Sequence, residues 1–122
     1  FPTRRSSDLL RKDTAPCSAD LPFISLHGTL PWNSDYDAQT RVIGVMYAGR
    51  KEDEDDIIYL GINAYWERVE VRLPTLPKDM RWTVVCDTAR DAHAIITQPE
   101  HLDEEIYVFS PRSVCVFQAV SA

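Results

Sequence analysis

The chain has 122 residues and a mass of 13.9 kDa, with 44% hydrophobic and 26% charged residues, the size and composition of one globular domain. Its net charge of -6 and pI of about 4.9 argue against a nucleic-acid binder, which needs a basic face to neutralise phosphates, and against a surface that docks on anionic lipid. No run approaches the ~20 apolar residues that span a bilayer.

In chain order, the first segment, Phe1 to Asp8 (FPTRRSSD), is polar and aperiodic. It resembles the translation of a sequencing-adapter fragment, so residues 1–9 are expected to be a non-native or disordered leader. Residues 10–20 hold Arg11, Lys12, Asp13 and Pro16 but too few apolar groups for an element of their own, and they read as a linker. The domain proper is expected over residues 21–122. Leu21 to Leu26 is a short first strand, with Pro22 restricting it to an edge or a strand start. His27 to Asp37 is a loop rich in turn formers and punctuated by Trp32 and Tyr36.

Arg41 to Ala48 (RVIGVMYA) is the second strand, and Gly49 to Asp56 reads as a charged hairpin loop. Asp55 to Leu73 then reads as a hairpin. Ile57 to Ile62 is a nearly continuous apolar strand rich in β-branched residues. Glu67 to Leu73 alternates, with Val69, Val71 and Leu73 on one side and Arg68, Glu70 and Arg72 on the other. Asn63-Ala64-Tyr65-Trp66-Glu67 would be the tight aromatic connection between them. Pro74-Thr75-Leu76-Pro77 ends this unit. Arg81 to Asp87 is a strand, Ala92 to Thr97 a strand or helical turn broken by Pro99, and Glu105 to Phe109 a strand. Ser110-Pro111-Arg112 turns the chain into a last strand, Ser113 to Val120. Seven or eight short strands at about ten-residue spacing, with no persuasive helix, predict an all-β fold, an antiparallel β-sandwich.

Few residues offer chemistry. Glu52-Asp53-Glu54-Asp55-Asp56 is consecutive and lacks the internal glycine and spaced ligands of a calcium loop, so a solvated tip is expected. His27, His93 and His101 lack ligand partners at zinc-site spacing. His27, beside Gly28, reads as a loop hydrogen-bonder. Ser110 and Ser113 lack a nucleophile elbow. Cys17, Cys86 and Cys115 are an odd set with no CxxC pair, the pattern of free thiols; Cys86 and Cys115 could pair if their strands are neighbours. No glycine-rich phosphate cradle exists among four glycines. No metal and no cofactor is expected. Trp32, Tyr36, Tyr65 and Trp66 remain as candidate glycan-contact residues, since aromatic faces stack on sugars. The competing reading makes them anchors of the core or of a domain interface.

Several segments in order carry a family resemblance. They are His27-Gly28-Thr29, a Trp/Asp/Tyr loop, Arg41 before an apolar strand, Asp56-Ile57-Ile58-Tyr59-Leu60 and Asn63-Ala64-Tyr65-Trp66-Glu67. Leu73-Pro74-x-Leu76-Pro77, Trp82, Asp87-Thr88 and Arg112-Ser113-Val114 follow. The set resembles the C-terminal β-domain of bacterial glycogen debranching enzymes, the isoamylase- and pullulanase-type members of glycoside hydrolase family 13. Leu10-Arg11-Lys12 is similar to the tail of the last barrel helix in such enzymes. The chain departs from the family in the loop before Arg41, which usually carries Pro-Asp-Trp-Ser and here reads Pro31-Trp32-Asn33-Ser34-Asp35-Tyr36.

The resemblance implies that the intact protein hydrolyses α-1,6 branch linkages in glycogen or limit dextrins, using an Asp nucleophile and a Glu acid/base in a TIM barrel. Those carboxylates would lie upstream, so this chain carries no catalytic residue. It would cap the barrel, its principal partner, with α-glucan as a further partner. Free cysteines and the family together suggest a cytoplasmic location. An alternative is an independent carbohydrate-binding module contacting α-glucan through the four aromatics. A cap without its barrel should also expose an apolar patch, including some of Phe23, Trp32 and Trp66.

Overall fold

The computed structural model describes residues 21–33, 36, 40–51, 54–77, 79–89, 95–102 and 104–121. The expected leader and linker at 1–20, with Cys17, and also His93, Glu52 and Asp53 lie outside these residues. Eight strands form two antiparallel sheets, with no helix among the described residues. The strands are β1 (Ile24–His27), β2 (Val42–Lys51), β3 (Glu54–Asn63), β4 (Val69–Arg72), β5 (Met80–Asp87), β6 (Ile95–His101), β7 (Ile106–Phe109) and β8 (Ser113–Ser121). The large sheet has the order β1-β2-β3-β8-β5-β6, and the small one is β4-β7. This is the predicted sandwich.

Alternation decides what the large sheet buries. On its inner face one cross-strand row runs Ser25, Met46, Tyr59, Phe117, Val84, and the next runs His27, Gly44, Gly61, Cys115, Asp87. The small sheet covers this face. Tyr107 meets Phe117 edge-on at 5.1 Å between ring centroids, and Phe109 stacks on Phe117 at 6.0 Å. Val71, Leu73 and Phe109 are fully buried.

Gly44 and Gly61 face each other across β2 and β3, and the absent side chains make a notch. A Cβ on Gly44 would lie 2.0 Å from the Tyr59 hydroxyl, and one on Gly61 2.4 Å from the Phe109 ring. Glycine within a strand here permits close approach of aromatic rings. Tyr59 also meets Trp82 edge-on at 6.0 Å. The Trp82 indole N–H donates to the Pro74 carbonyl at 2.9 Å, so the buried nitrogen is satisfied and the proline-rich segment is pinned over the core.

Three sequence expectations are corrected. The segment Asp55 to Leu73 is no hairpin: β3 pairs with β2 and β8, whereas β4 pairs with β7 in the other sheet. The aromatic connection therefore carries the chain from one sheet to the other. Local alternation reveals strands but not which strand is the partner. The second correction is at 49–56, where the β2–β3 ladder continues to Lys51 opposite Glu54. Most of the charged segment is strand, and only residues 52–53 connect it. The third concerns Pro99, which lies inside β6 rather than breaking it. β6 is an edge strand, where a missing amide donor is tolerated. β1, with Pro22 just before it, is the opposite edge.

Cys86 and Cys115 do lie on neighbouring strands and are free. Cys86 pairs with Val116 and Asp87 with Cys115. The two thiols consequently sit on opposite faces of the sheet, which explains why adjacency does not produce a bridge.

Candidate functional site

The four aromatics singled out in the sequence gather at one end of the sandwich. That end holds the loop after β1, the start of β2 and the β3–β4 crossover. A cleft of about 340 Å³ opens there, lined by residues that include Thr29, Asn33, Tyr36, Arg41 and Tyr65.

His27 builds the first wall. Its ring is fully buried, and its Nδ1 accepts the Trp32 backbone N–H at 2.7 Å. That bond leaves Nε2 as the protonated nitrogen of a neutral imidazole, positioned to donate to Ser25 Oγ at 2.8 Å. Burial lowers the His27 pKa, in keeping with a neutral ring. Histidine at this position is the loop hydrogen-bonder expected from the sequence. Trp32 is held with φ at 64°, a left-handed conformation uncommon for a bulky residue. Its indole meets the His27 ring edge-on at 4.7 Å while 48% of the residue stays exposed. The Tyr36 hydroxyl donates to the His27 carbonyl at 2.5 Å and ties the loop back to β1.

Asn63 builds the opposite wall. Its buried amide donates to the carbonyls of Glu67 and Ser110, both at 3.0 Å, and its Oδ1 accepts the Tyr65 N–H at 2.9 Å. The Tyr65 carbonyl accepts the Arg112 N–H at 3.0 Å, and the Arg41 carbonyl accepts the Ala64 N–H at 2.9 Å. With its backbone fixed on both sides, Tyr65 is half-buried and supports the Arg41 guanidinium 4.1 Å above its ring centroid. Trp66, 5.6 Å from Tyr65 between ring centroids, is 64% exposed. It does not pack into the domain core.

Tyr36 and Tyr65 thus line one cleft. Trp66 flanks Tyr65, and Trp32 precedes Asn33 in the facing loop. Sequence reasoning placed Arg41 only as a marker before a strand. Its stacking on Tyr65, more than twenty residues away, had no local signal. Ser34 and Asp35 of the same loop lie outside the described residues.

Asp87, which the sequence marks only within the Asp87-Thr88 motif, is a buried carboxylate. Asp87 accepts the Tyr107 hydroxyl at 2.6 Å and the Ala89 N–H at 3.0 Å. The Cys115 thiol is pushed up to about 12 by burial and by the Asp87 carboxylate beside it, so it stays protonated and unreactive. Asp87 serves as a structural acceptor at the end of β5. No group of three or more histidine, cysteine or acidic residues that could hold a metal occurs among the described residues.

No individual curated protein matches the chain. The family model described as isoamylase, C-terminal, matches residues 24–118, from the first residue of β1 into the last strand. The chain belongs to the isoamylase C-terminal domain family.

Proposed function

We propose that the chain is the non-catalytic accessory domain of an α-1,6-glucan debranching glycoside hydrolase, and that it caps the catalytic barrel with the outer face of its large sheet. One observation carries this reading. On the outer face a row runs Leu26, Val45, Leu60, Val116 across β1, β2, β3 and β8. A second row, Ile43, Ile62, Val114, lies beside it. Leu26 and Ile43 are exposed, and the others are only half-buried by one another.

An antiparallel sheet with one wet face alternates apolar with polar residues. Along these two rows the sheet is apolar on both faces, and the outer face turns polar only beyond them, where Gln118 lies opposite Thr83. A contiguous apolar surface is characteristic of an interface, and each Leu, Ile or Val fully covered there contributes about 1.5–3 kcal/mol. The expected apolar surface is therefore centred on the sheet. Trp32 and Trp66 are exposed as well, at the sandwich end, while Phe23 is half-buried.

The gene upstream of this chain tests the reading. A glycoside-hydrolase barrel encoded directly ahead of it is the expected outcome, and an unrelated domain overturns the proposal. In that longer protein, Leu60→Lys should lower the thermal stability of barrel and domain together.

A further inference from the structure

The cleft at the sandwich end is a separate feature from the outer face of the large sheet, and capping leaves it unexplained. We propose that it is a binding site for a neutral glucan chain, with Trp66 offering a ring face at its margin, Tyr65 backing the Arg41 guanidinium, and Arg41, Thr29 and Asn33 offering polar contacts. The identity of the sugar as an α-glucan rests on the accessory-domain reading; the site itself rests on its geometry.

Three features carry the proposal. First, the site is built before any ligand arrives. Both backbone hydrogen-bonding groups of Tyr65 are engaged, and the buried Asn63 amide locks the crossover from beneath. Across the cleft, the Tyr36 hydroxyl holds the facing loop on the His27 carbonyl. Gly28 completes this wall, because a Cβ there would lie 3.0 Å from the Asn33 carbonyl. Preorganisation of this kind reduces the ordering cost of binding.

Second, the mixture of groups suits a sugar. A pyranose presents apolar C–H faces and a rim of hydroxyls. Trp66 is the most exposed large hydrophobic residue among those described; it is not part of the cleft lining but flanks the lining residue Tyr65, 5.6 Å away between ring centroids. Arg41 spends one face of its guanidinium on the Tyr65 ring. Its five N–H donors lie in the guanidinium plane, and those on its outer edge suit paired hydroxyl oxygens.

Third, the charge is wrong for a phosphate. Arg41 is the one charged residue lining the cleft among those described, in a chain of net charge -6. Phosphate sites collect several cations or backbone N–H groups on one anion.

The test titrates the 15N-labelled chain with maltoheptaose, and in parallel with cellohexaose and inorganic phosphate, following amide shifts. Maltoheptaose should shift the amides of Thr29, Arg41, Tyr65 and Trp66 saturably. Arg41→Ala and Trp66→Ala should each weaken binding by about tenfold or more, the effect of losing a hydrogen bond to a charged group or a stacked ring. Arg41→Lys, which retains charge but not the planar fork, should restore little. Both substituted residues are exposed, and the unchanged spectrum of the remaining strands reports that the variants stay folded.

No saturable shift with either oligosaccharide overturns the site. Shifts confined to the outer face of the large sheet, or a response to phosphate at the cleft stronger than that to maltoheptaose, also overturn it. Equal binding of cellohexaose retains the sugar site and removes the α-glucan assignment. Because the outer face is untouched by these variants, loss of glucan binding leaves the capping proposal standing, and an unrelated upstream domain leaves the cleft measurement standing.

Discussion

The two faces of the large sheet are built from the same strands and almost the same residue types, yet they have different fates. On the inner face Met46, Tyr59 and Phe117 are fully buried. One residue along in each strand, Val45, Leu60 and Val116 are equally apolar and only half-buried. The difference is the small sheet: β4 and β7 cover one side, and nothing else in the described residues covers the other. A strand such as Ile57 to Ile62, apolar at nearly every position, is the sequence of an element with two dry sides. Among the described residues, only one of those sides is covered.

Breaking the inner face should have the largest effect. Phe117 is fully buried and contacts the rings of Tyr59, Tyr107 and Phe109. Phe117→Ala is expected to cost about 3–5 kcal/mol, read as a shift of the urea midpoint, and a loss below 1 kcal/mol would mean that the two sheets are not packed as described. Gly61→Ala comes next. The added methyl meets the Phe109 ring from the second sheet and the Tyr59 ring at 3.1 Å, and two buried rings leave little room to relax. A cost of about 1–3 kcal/mol from overpacking is expected. An unchanged midpoint would show that the notch is not filled by these rings.

The same contrast explains what was legible in the sequence. Strands and the sandwich class were readable because alternation and short apolar runs are local signals, clearest in Val69-Glu70-Val71-Arg72. Partnership was not. The turn formers around Asn63 suggested that β3 and β4 fold back on each other, but Asn63 uses its amide to bridge to the β7–β8 turn and so directs the chain into the other sheet. Pro99 misled because its effect depends on whether a strand is central or at an edge, which the sequence does not state. At the candidate site the aromatics were legible as residue types. The cleft was not, because Arg41 meets Tyr65, and Tyr36 meets His27, only after three strands have paired.

A smaller effect distinguishes the buried histidine of the inner face from solvent-facing groups. Burial lowers the pKa of His27 in the folded chain, whereas unfolding returns it to about 6.5. Below pH 6.5, and down to the lowered folded value, the unfolded chain therefore binds more protons than the folded one, and stability falls as the pH falls. Protonation also removes the lone pair that accepts the Trp32 N–H. The urea midpoint should decline between about pH 7 and 5, and His27→Asn, which retains an acceptor near the Nδ1 position but does not titrate, should flatten that decline. Equal slopes for the two proteins would assign the pH dependence to other groups.

The smallest expected change in the isolated chain is the most informative about the outer face. Leu60 sits at the centre of the row Leu26, Val45, Leu60, Val116. Its side chain is half-buried by neighbours on a surface that water already reaches. Leu60→Lys retains the aliphatic stem along that surface and puts the ammonium in solvent. The urea midpoint of the isolated chain should therefore move by less than about 1 kcal/mol equivalent, while self-association at high concentration, measured by light scattering, should drop. A core position responds in the opposite manner, with a large loss of stability and more aggregation. If Leu60→Lys unfolds the chain, the outer face is already covered within this domain and the surface proposed to meet the barrel does not exist. If it is nearly silent here and destabilising only in the longer protein, the second dry side of β3 belongs to the interface.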